Sequence, residues 1–161
     1  MRRAVHIASI AVLLGCSGFA ESVAEWVSGS EIEVEGDRVV LTNADGSRQV
    51  ITQGEHAEAP ADFPLPLPPG QPTLDSVVAP EGKGASTLSY RLGPDDDAEA
   101  VVAFYTEWFA AEGIEVMSDH KNMAGMRTTA LVGSRSGEVY SVTFTDALGT
   151  RMLTLTVTPA R

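Results

Sequence analysis

Residues 94–113 read PDDDAEAVVAFYTEWFAAEG, and this stretch decides the fold class. Its acidic opening is a helix entrance. Asp95 or Asp96 can accept from the free N–H groups of the first turn, and the remaining acids complement the positive end of the helix dipole. Val101, Phe104, Tyr105, Trp108 and Phe109 then recur at spacings of three and four, which builds one broad apolar face. Gly113 stands where a left-handed C′ residue belongs, so the helix is expected to run to about Glu112. A helix with a single apolar face must bury it against something, and the flanking sequence supplies strands. Residues 73–79 and 85–92 are strand candidates joined by the turn 80–84. Residues 114–118, 127–133, 138–145 and 152–158 are strand candidates beyond the helix. Tyr140, Val142 and Phe144 share one face of their strand, while Leu153, Leu155 and Val157 alternate with Thr154, Thr156 and Thr158. The fold class expected for 73–161 is therefore α+β: an antiparallel sheet with one long amphipathic helix packed on it.

Upstream of this unit, residues 57–72 (AEAPADFPLPLPPGQP) hold six prolines, which excludes helix and central strand. They read as an extended, stiff linker that packs along the next domain through Phe63, Leu65 and Leu67 at alternate positions. Before the linker come three short runs, 31–35, 38–42 and 48–52, separated by Gly36-Asp37 and by Asn43-Ala44-Asp45-Gly46. The first alternates charged and apolar residues strictly, and the separators are turn signals. Residues 31–56 are thus expected to form a short three-stranded β-meander, a stem preceding the linker.

The chain begins MRRAVHIASIAVLLGCSGFA. Arg2 and Arg3 form a positive n-region, and the apolar stretch from 4 to 14 is too short for a bilayer-spanning helix, which needs ~20 residues. It has the length of a signal-peptide h-region. Leu13-Leu14-Gly15-Cys16 resembles the lipobox of bacterial lipoproteins, and Cys16 is the only cysteine in the chain. The resemblance implies diacylglycerol transfer to the Cys16 thiol, cleavage after Gly15 and acylation of the new amino terminus. Residues 1–15 are then a lipoprotein signal peptide and 16–30 a lipidated tether. A lone thiol in an exported chain gains a purpose by this reading. Several acyl chains hold a protein stably at a membrane where one holds it only marginally. Ser17 follows the cysteine in place of the Asp that retains many lipoproteins at the inner membrane, which favours the outer membrane of a Gram-negative envelope.

The full chain has 161 residues, 43% of them hydrophobic, and a net charge of −11. Loss of Arg2 and Arg3 on processing makes this −13. There is no basic surplus to neutralise phosphates, which argues against nucleic-acid partners. The acidity also keeps the stem off anionic head groups, so the membrane contact expected is the lipid anchor alone.

Three landmarks carry a further resemblance: Asp62-Phe63-Pro64 followed by Leu67-Pro68-Pro69-Gly70, the helix segment Val101-Val102-Ala103-Phe104-Tyr105, and Gly113-Ile114-Glu115-Val116. With the lipobox and the acidic stem they resemble a group of uncharacterised bacterial envelope lipoproteins in which a "DFP…P…PG" linker precedes an "FY…L…GW.V" helix-to-strand passage. This chain has Ile114 where Trp is frequent and Phe109 where Leu is frequent. The resemblance spans roughly residues 30–161 and implies an anchored α+β module. It carries no catalytic residues.

Sites for chemistry are sparse. The mature chain has two histidines, His56 in the linker region and His120, and no G-x-S-x-G elbow, so no covalent-catalysis constellation stands out. Asp95-Asp96-Asp97 lacks the alternating oxygens, Gly and distal Glu of a calcium loop and reads as capping. Tyr90, Tyr105, Tyr140, Trp108 and Phe109 read as core. The sharpest oddity is MSDHKNMAGM, where Met117, His120, Met123 and Met126 recur every three residues. Thioethers with an imidazole suit Cu(I), so a Met/His loop binding Cu(I) is the alternative to a plain reading of these residues as core and loop filler. The functional expectation is a non-enzymatic binding or assembly module with no cofactor beyond its lipid, contacting an envelope protein through a sheet edge or the proline-rich segment.

Overall fold

The computed structural model describes residues 31–160 apart from positions 37, 44, 71, 83 and 124. The expected signal peptide, the tether and Cys16 lie outside the described residues. The elements are β1 (Glu31–Glu35), β2 (Arg38–Thr42), β3 (Arg48–Gln53), a 3-10 turn (Gly54–His56), β4 (Thr73–Pro80), β5 (Ser86–Leu92), α1 (Ala98–Ala111), β6 (Val116–Met123), β7 (Met126–Arg135), β8 (Glu138–Ala147) and β9 (Thr150–Pro159). All nine strands belong to one antiparallel sheet in the order β1-β2-β3-β4-β5-β9-β8-β7-β6. The chain meanders from one edge to the middle, crosses by α1 to the far edge, and meanders back until β9 lies beside β5.

The sheet is larger than a helix-covered unit preceded by a short meander. β3 pairs directly with β4, with Ile51 opposite Val78 and Thr52 opposite Val77. The physical reason is that three strands alone leave pairing groups and an apolar face unsatisfied, and β4 offers a matching edge. The proline-rich segment leaves the sheet at Gln53, returns at Thr73, and lets its two flanking strands meet.

The cap chemistry of α1 follows its sequence, one residue later than expected at the start. The N-cap is Asp97, whose side chain accepts from the backbone N–H groups of Glu99 at 2.9 Å and Ala100 at 3.2 Å. Asp96 turns back instead and accepts from Gly93 N at 2.6 Å. At the other end Gly113 adopts φ 67, in the left-handed region that favours glycine. Gly113 N donates to Ala110 O and Ile114 N donates to Phe109 O, the double closure of a Schellman motif.

One face of the sheet carries the core. Leu88, Tyr90 and Leu92 of β5, Leu153, Leu155 and Val157 of β9, Tyr140, Val142 and Phe144 of β8, and Leu131 of β7 are all buried, as the two-residue period requires. From α1, Val101, Tyr105 and Phe109 meet them at four-residue spacing. Trp108 packs edge-on to Phe109 and Tyr140, with ring centroids 5.1 and 6.1 Å apart. The proline-rich segment is the second half of this cover. Leu65 is 3% exposed, Phe63, Ala57 and Ala59 pack on the same core, and the Tyr105 hydroxyl donates to Pro66 O at 3.0 Å. Leu67, expected as a third anchor, is 64% exposed, and Pro68 is buried in its place. The alternation breaks at Pro66, whose carbonyl is drawn to Tyr105. The segment is a strap over the core.

Two tyrosines make this core sensitive to alkali. Burial raises the phenol of Tyr105, and the neighbouring Tyr90 adds to the rise; burial likewise raises Tyr90. A group whose folded pKa is raised favours the folded state fully below its unfolded value, near 10, and loses that contribution as pH climbs toward the folded value. Urea midpoints are therefore expected to be insensitive to these groups up to about pH 10 and to fall beyond it. A midpoint at about pH 11 equal to that at about pH 9 would contradict the burial of these hydroxyls.

The β8–β9 hairpin closes through Leu148 (φ 51) and Gly149 (φ 81). Both central residues of such a turn need positive φ, which Asn tolerates better than a γ-branched residue. Leu148 is 97% exposed and gains nothing in return. Leu148→Asn is expected to raise stability by about 0.5–1 kcal/mol, read as a higher midpoint in thermal denaturation; a lower midpoint would count against the turn assignment.

Candidate binding surface

Strand alternation that fills the core on one side builds a hydroxyl-rich face on the other. Across β7, β8, β9 and β5 the register sets Ala130, Thr143, Thr154 and Ser89 in one ladder, and Val132, Ser141, Thr156 and Thr87 in the next. A third ladder runs Thr128, Thr145, Met152, Arg91. These side chains are half-exposed, apart from the exposed Arg91, whereas their sequence neighbours on the same strands are mostly buried. Threonine suits this position because its branched Cβ fits a pleated surface while its hydroxyl stays hydrated. The Thr87 and Thr156 hydroxyls hydrogen-bond to each other at 3.1 Å. Arg91 ends its ladder in an ion pair with Asp75 at 2.7 Å. At the β1–β3 end the pattern differs: Val39, Val40 and Leu41 are consecutive and all buried.

The chemistry available on this face is hydrogen bonding, mostly by neutral hydroxyls spaced at the strand repeat, with the exposed Arg91 as a charged member. At its margin lies β6, the outermost strand on that side. Met117 there is 73% exposed, and Asp119 and Lys121 form an exposed ion pair at 3.0 Å.

The Met/His segment, expected as a loop, is the strand β6 and the start of β7, joined by a hairpin turn around Gly125. The sequence SDHKN shows no apolar alternation because an edge strand carrying one neighbour leaves its side chains in water. The strand disperses the expected copper ligands. Met117 and His120 are an odd number of residues apart and so project from opposite faces of the sheet. The His120 ring (Nδ1) instead lies 3.1 Å from the Thr129 hydroxyl, on the helix side. Met126 sits six residues along β7 from Val132, the partner of Met117, roughly 20 Å away. Positions 123 and 126 alone are adjacent, as the last pair of the hairpin. Among the described residues no group of three His, Cys, Asp or Glu side chains is arranged to hold a metal ion.

Asp96, Asp97 and Asp45 have local partners. Asp97 and Asp96 serve the helix entrance as described, and Arg151 ties that entrance to β9 by donating to the carbonyls of Pro94 and Asp96 at 3.3 and 3.1 Å. Asp45 accepts from Ser47 N at 2.9 Å and from its hydroxyl at 2.6 Å; these bonds hold its carboxyl below the usual range and make the Asn43–Ser47 segment a hairpin turn. His56 closes the 3-10 turn before the strap. Sequence reasoning expected contact through a sheet edge but ended the strand at Ser118, and so missed that β6 runs to Met123 and is an edge. Among the described residues no helix is long and apolar enough to cross a membrane. No protein-family model, curated protein or solved structure matches this chain.

Proposed function

We propose that this chain is a lipid-anchored bacterial envelope protein and a non-enzymatic module for binding or assembly. The observation that carries the reading is Leu13-Leu14-Gly15-Cys16, in which the only cysteine of the chain follows a signal-like segment at the position a lipobox demands. The asymmetry of the sheet supports it. Over β4–β9 one face is covered by α1 and the strap, and the other presents hydroxyl ladders bounded by an edge strand, a surface suited to partner contact rather than to bond-making. Ser17 favours the outer membrane in a Gram-negative cell. The partner is a protein of the envelope. The Cu(I) alternative is the less favoured reading, because Met117 and His120 lie on opposite faces of a strand.

The test is Cys16→Ser in the full chain, with fractionation of cells into membrane and soluble pools. The variant is expected to leave the membrane fraction almost completely, and metabolic labelling with a fatty-acid analogue is expected to mark the parent alone. Retention of the variant in membranes, or an unlabelled parent, would refute the anchor.

A further inference from the structure

β6 ends the sheet, and among the described residues no strand lies on its outer edge. It contains no proline and pairs with β7 without a bulge from Val116 to Met123. Edges of this kind are templates for another strand unless charges, prolines or bulges block them. The charges here are Asp119 and Lys121, on one face and opposite in sign. Residues 117–123, Met-Ser-Asp-His-Lys-Asn-Met, are nearly palindromic about His120 in residue class.

We propose that two copies of this chain associate by antiparallel pairing of β6 with β6, about a two-fold axis at His120 perpendicular to the sheet. Such an axis keeps each face on its own side, and directly opposed side chains in a ladder share a face. Only registers centred on a residue satisfy both conditions. Centring on position 119 sets Asp119 against its own copy, and centring on 121 does the same for Lys121; like charges directly opposed are destabilising. Centring on 120 sets Asp119 opposite Lys121 of the second copy, and Lys121 opposite Asp119 of the second copy. It also sets position 117 opposite 123 and 118 opposite 122. Each Asp119 then lies between two lysines, its own and the partner's, in a ring of alternating charge. Charges that would repel a strand in any neighbouring register become attractive in this one, which makes the edge selective for its own sequence. The contact is isologous, so it closes at two copies. It keeps the hydroxyl-rich faces of both copies on the same side of the joined sheet, and it stands whether or not the chain is lipidated.

The test uses the detergent-solubilised full chain at about 0.15 M salt, where screening over about 8 Å mutes the repulsion between two acidic molecules. Directly opposed residues are about 4.5–5.5 Å apart between Cα atoms, within disulfide reach, whereas position 122 lies about four residues, or roughly 13 Å, along the strand from its own copy. His120→Cys is therefore expected to cross-link under mild oxidation, and Asn122→Cys, on the same face, to remain at the level of the parent with Cys16 alone. Asp119→Lys is expected to weaken self-association about tenfold in sedimentation, and the exchange Asp119→Lys with Lys121→Asp to restore it. Equal cross-linking at 120 and 122, no cross-linking at 120 above the parent, or failure of the exchange to restore association would overturn the proposal. All these residues are exposed, so the variants retain the fold.

Discussion

Tyr105→Ala is expected to lower the free energy of unfolding by about 3–5 kcal/mol. Tyr105 is 0% exposed and lies where α1, the strap and the central strands meet. Its removal takes away the buried ring, opens a cavity, and leaves Pro66 O without the hydroxyl that reaches it at 3.0 Å. A part-buried acceptor stripped of its donor adds a desolvation cost. Domains of this size have about 5–15 kcal/mol in total, so a large fraction of the stability goes. Tyr105→Phe separates the terms: it keeps the ring and loses only the bond, about 0.5–1.5 kcal/mol. Trp108, against Phe109 and Tyr140 in the same core, reports unfolding in urea by its fluorescence. A loss below about 1 kcal/mol in Tyr105→Ala would show that the strap does not depend on this residue.

Gly133→Val is expected to cost about 3 kcal/mol or more, and Gly133→Ala about 1–3 kcal/mol. Gly133 lies on the core face of β7, beneath the C-terminal end of α1. A Cβ added there would meet Ile114 Cγ2 at 2.5 Å, Glu115 O at 3.2 Å and Phe109 Cε1 at 3.3 Å. The first of these distances is far inside contact. The second neighbour is backbone and cannot rotate away, so α1 and its exit would have to lift from the sheet. The check is the same urea titration together with the near-ultraviolet signal of Trp108. Gly133→Ala within about 0.5 kcal/mol of the parent would mean that the helix end shifts freely.

The two glycines at this corner differ in how much a reader of the sequence can learn. Gly113 announces itself, because it follows a helical period and stands at the C′ position. Gly133 sits inside the run Leu131-Val132-Gly133 with no local mark of its purpose. Its small size answers to Ile114 and Phe109, which reach it only after the chain has crossed the sheet. The same division applies to Leu65 and Leu67. Both are leucines between prolines, and one is buried while the other is exposed; the Tyr105 hydroxyl bonds the carbonyl of Pro66 between them. Likewise His120 and Met117 read as a pair at three-residue spacing until the segment is known to be a strand, in which three residues mean opposite faces.

By itself the sequence determined the features written in consecutive residues. These are the helix with its acidic entrance and glycine exit, the alternation that gives each strand a buried and an exposed side, the stiffness of the proline-rich segment, and the Leu-Leu-Gly-Cys stretch on which the anchoring proposal rests. Only the tertiary structure decided which strands are neighbours, so that β3 joins β4 and the stem becomes part of one sheet. It also decided that the proline-rich segment covers the core and that β6 is left as an edge. The reason is physical. Caps, periods and turns are satisfied by hydrogen bonds and side-chain directions within a few residues, whereas strand partners, covers and edges are settled by which distant apolar faces and unpaired backbone groups satisfy one another at least cost in chain entropy.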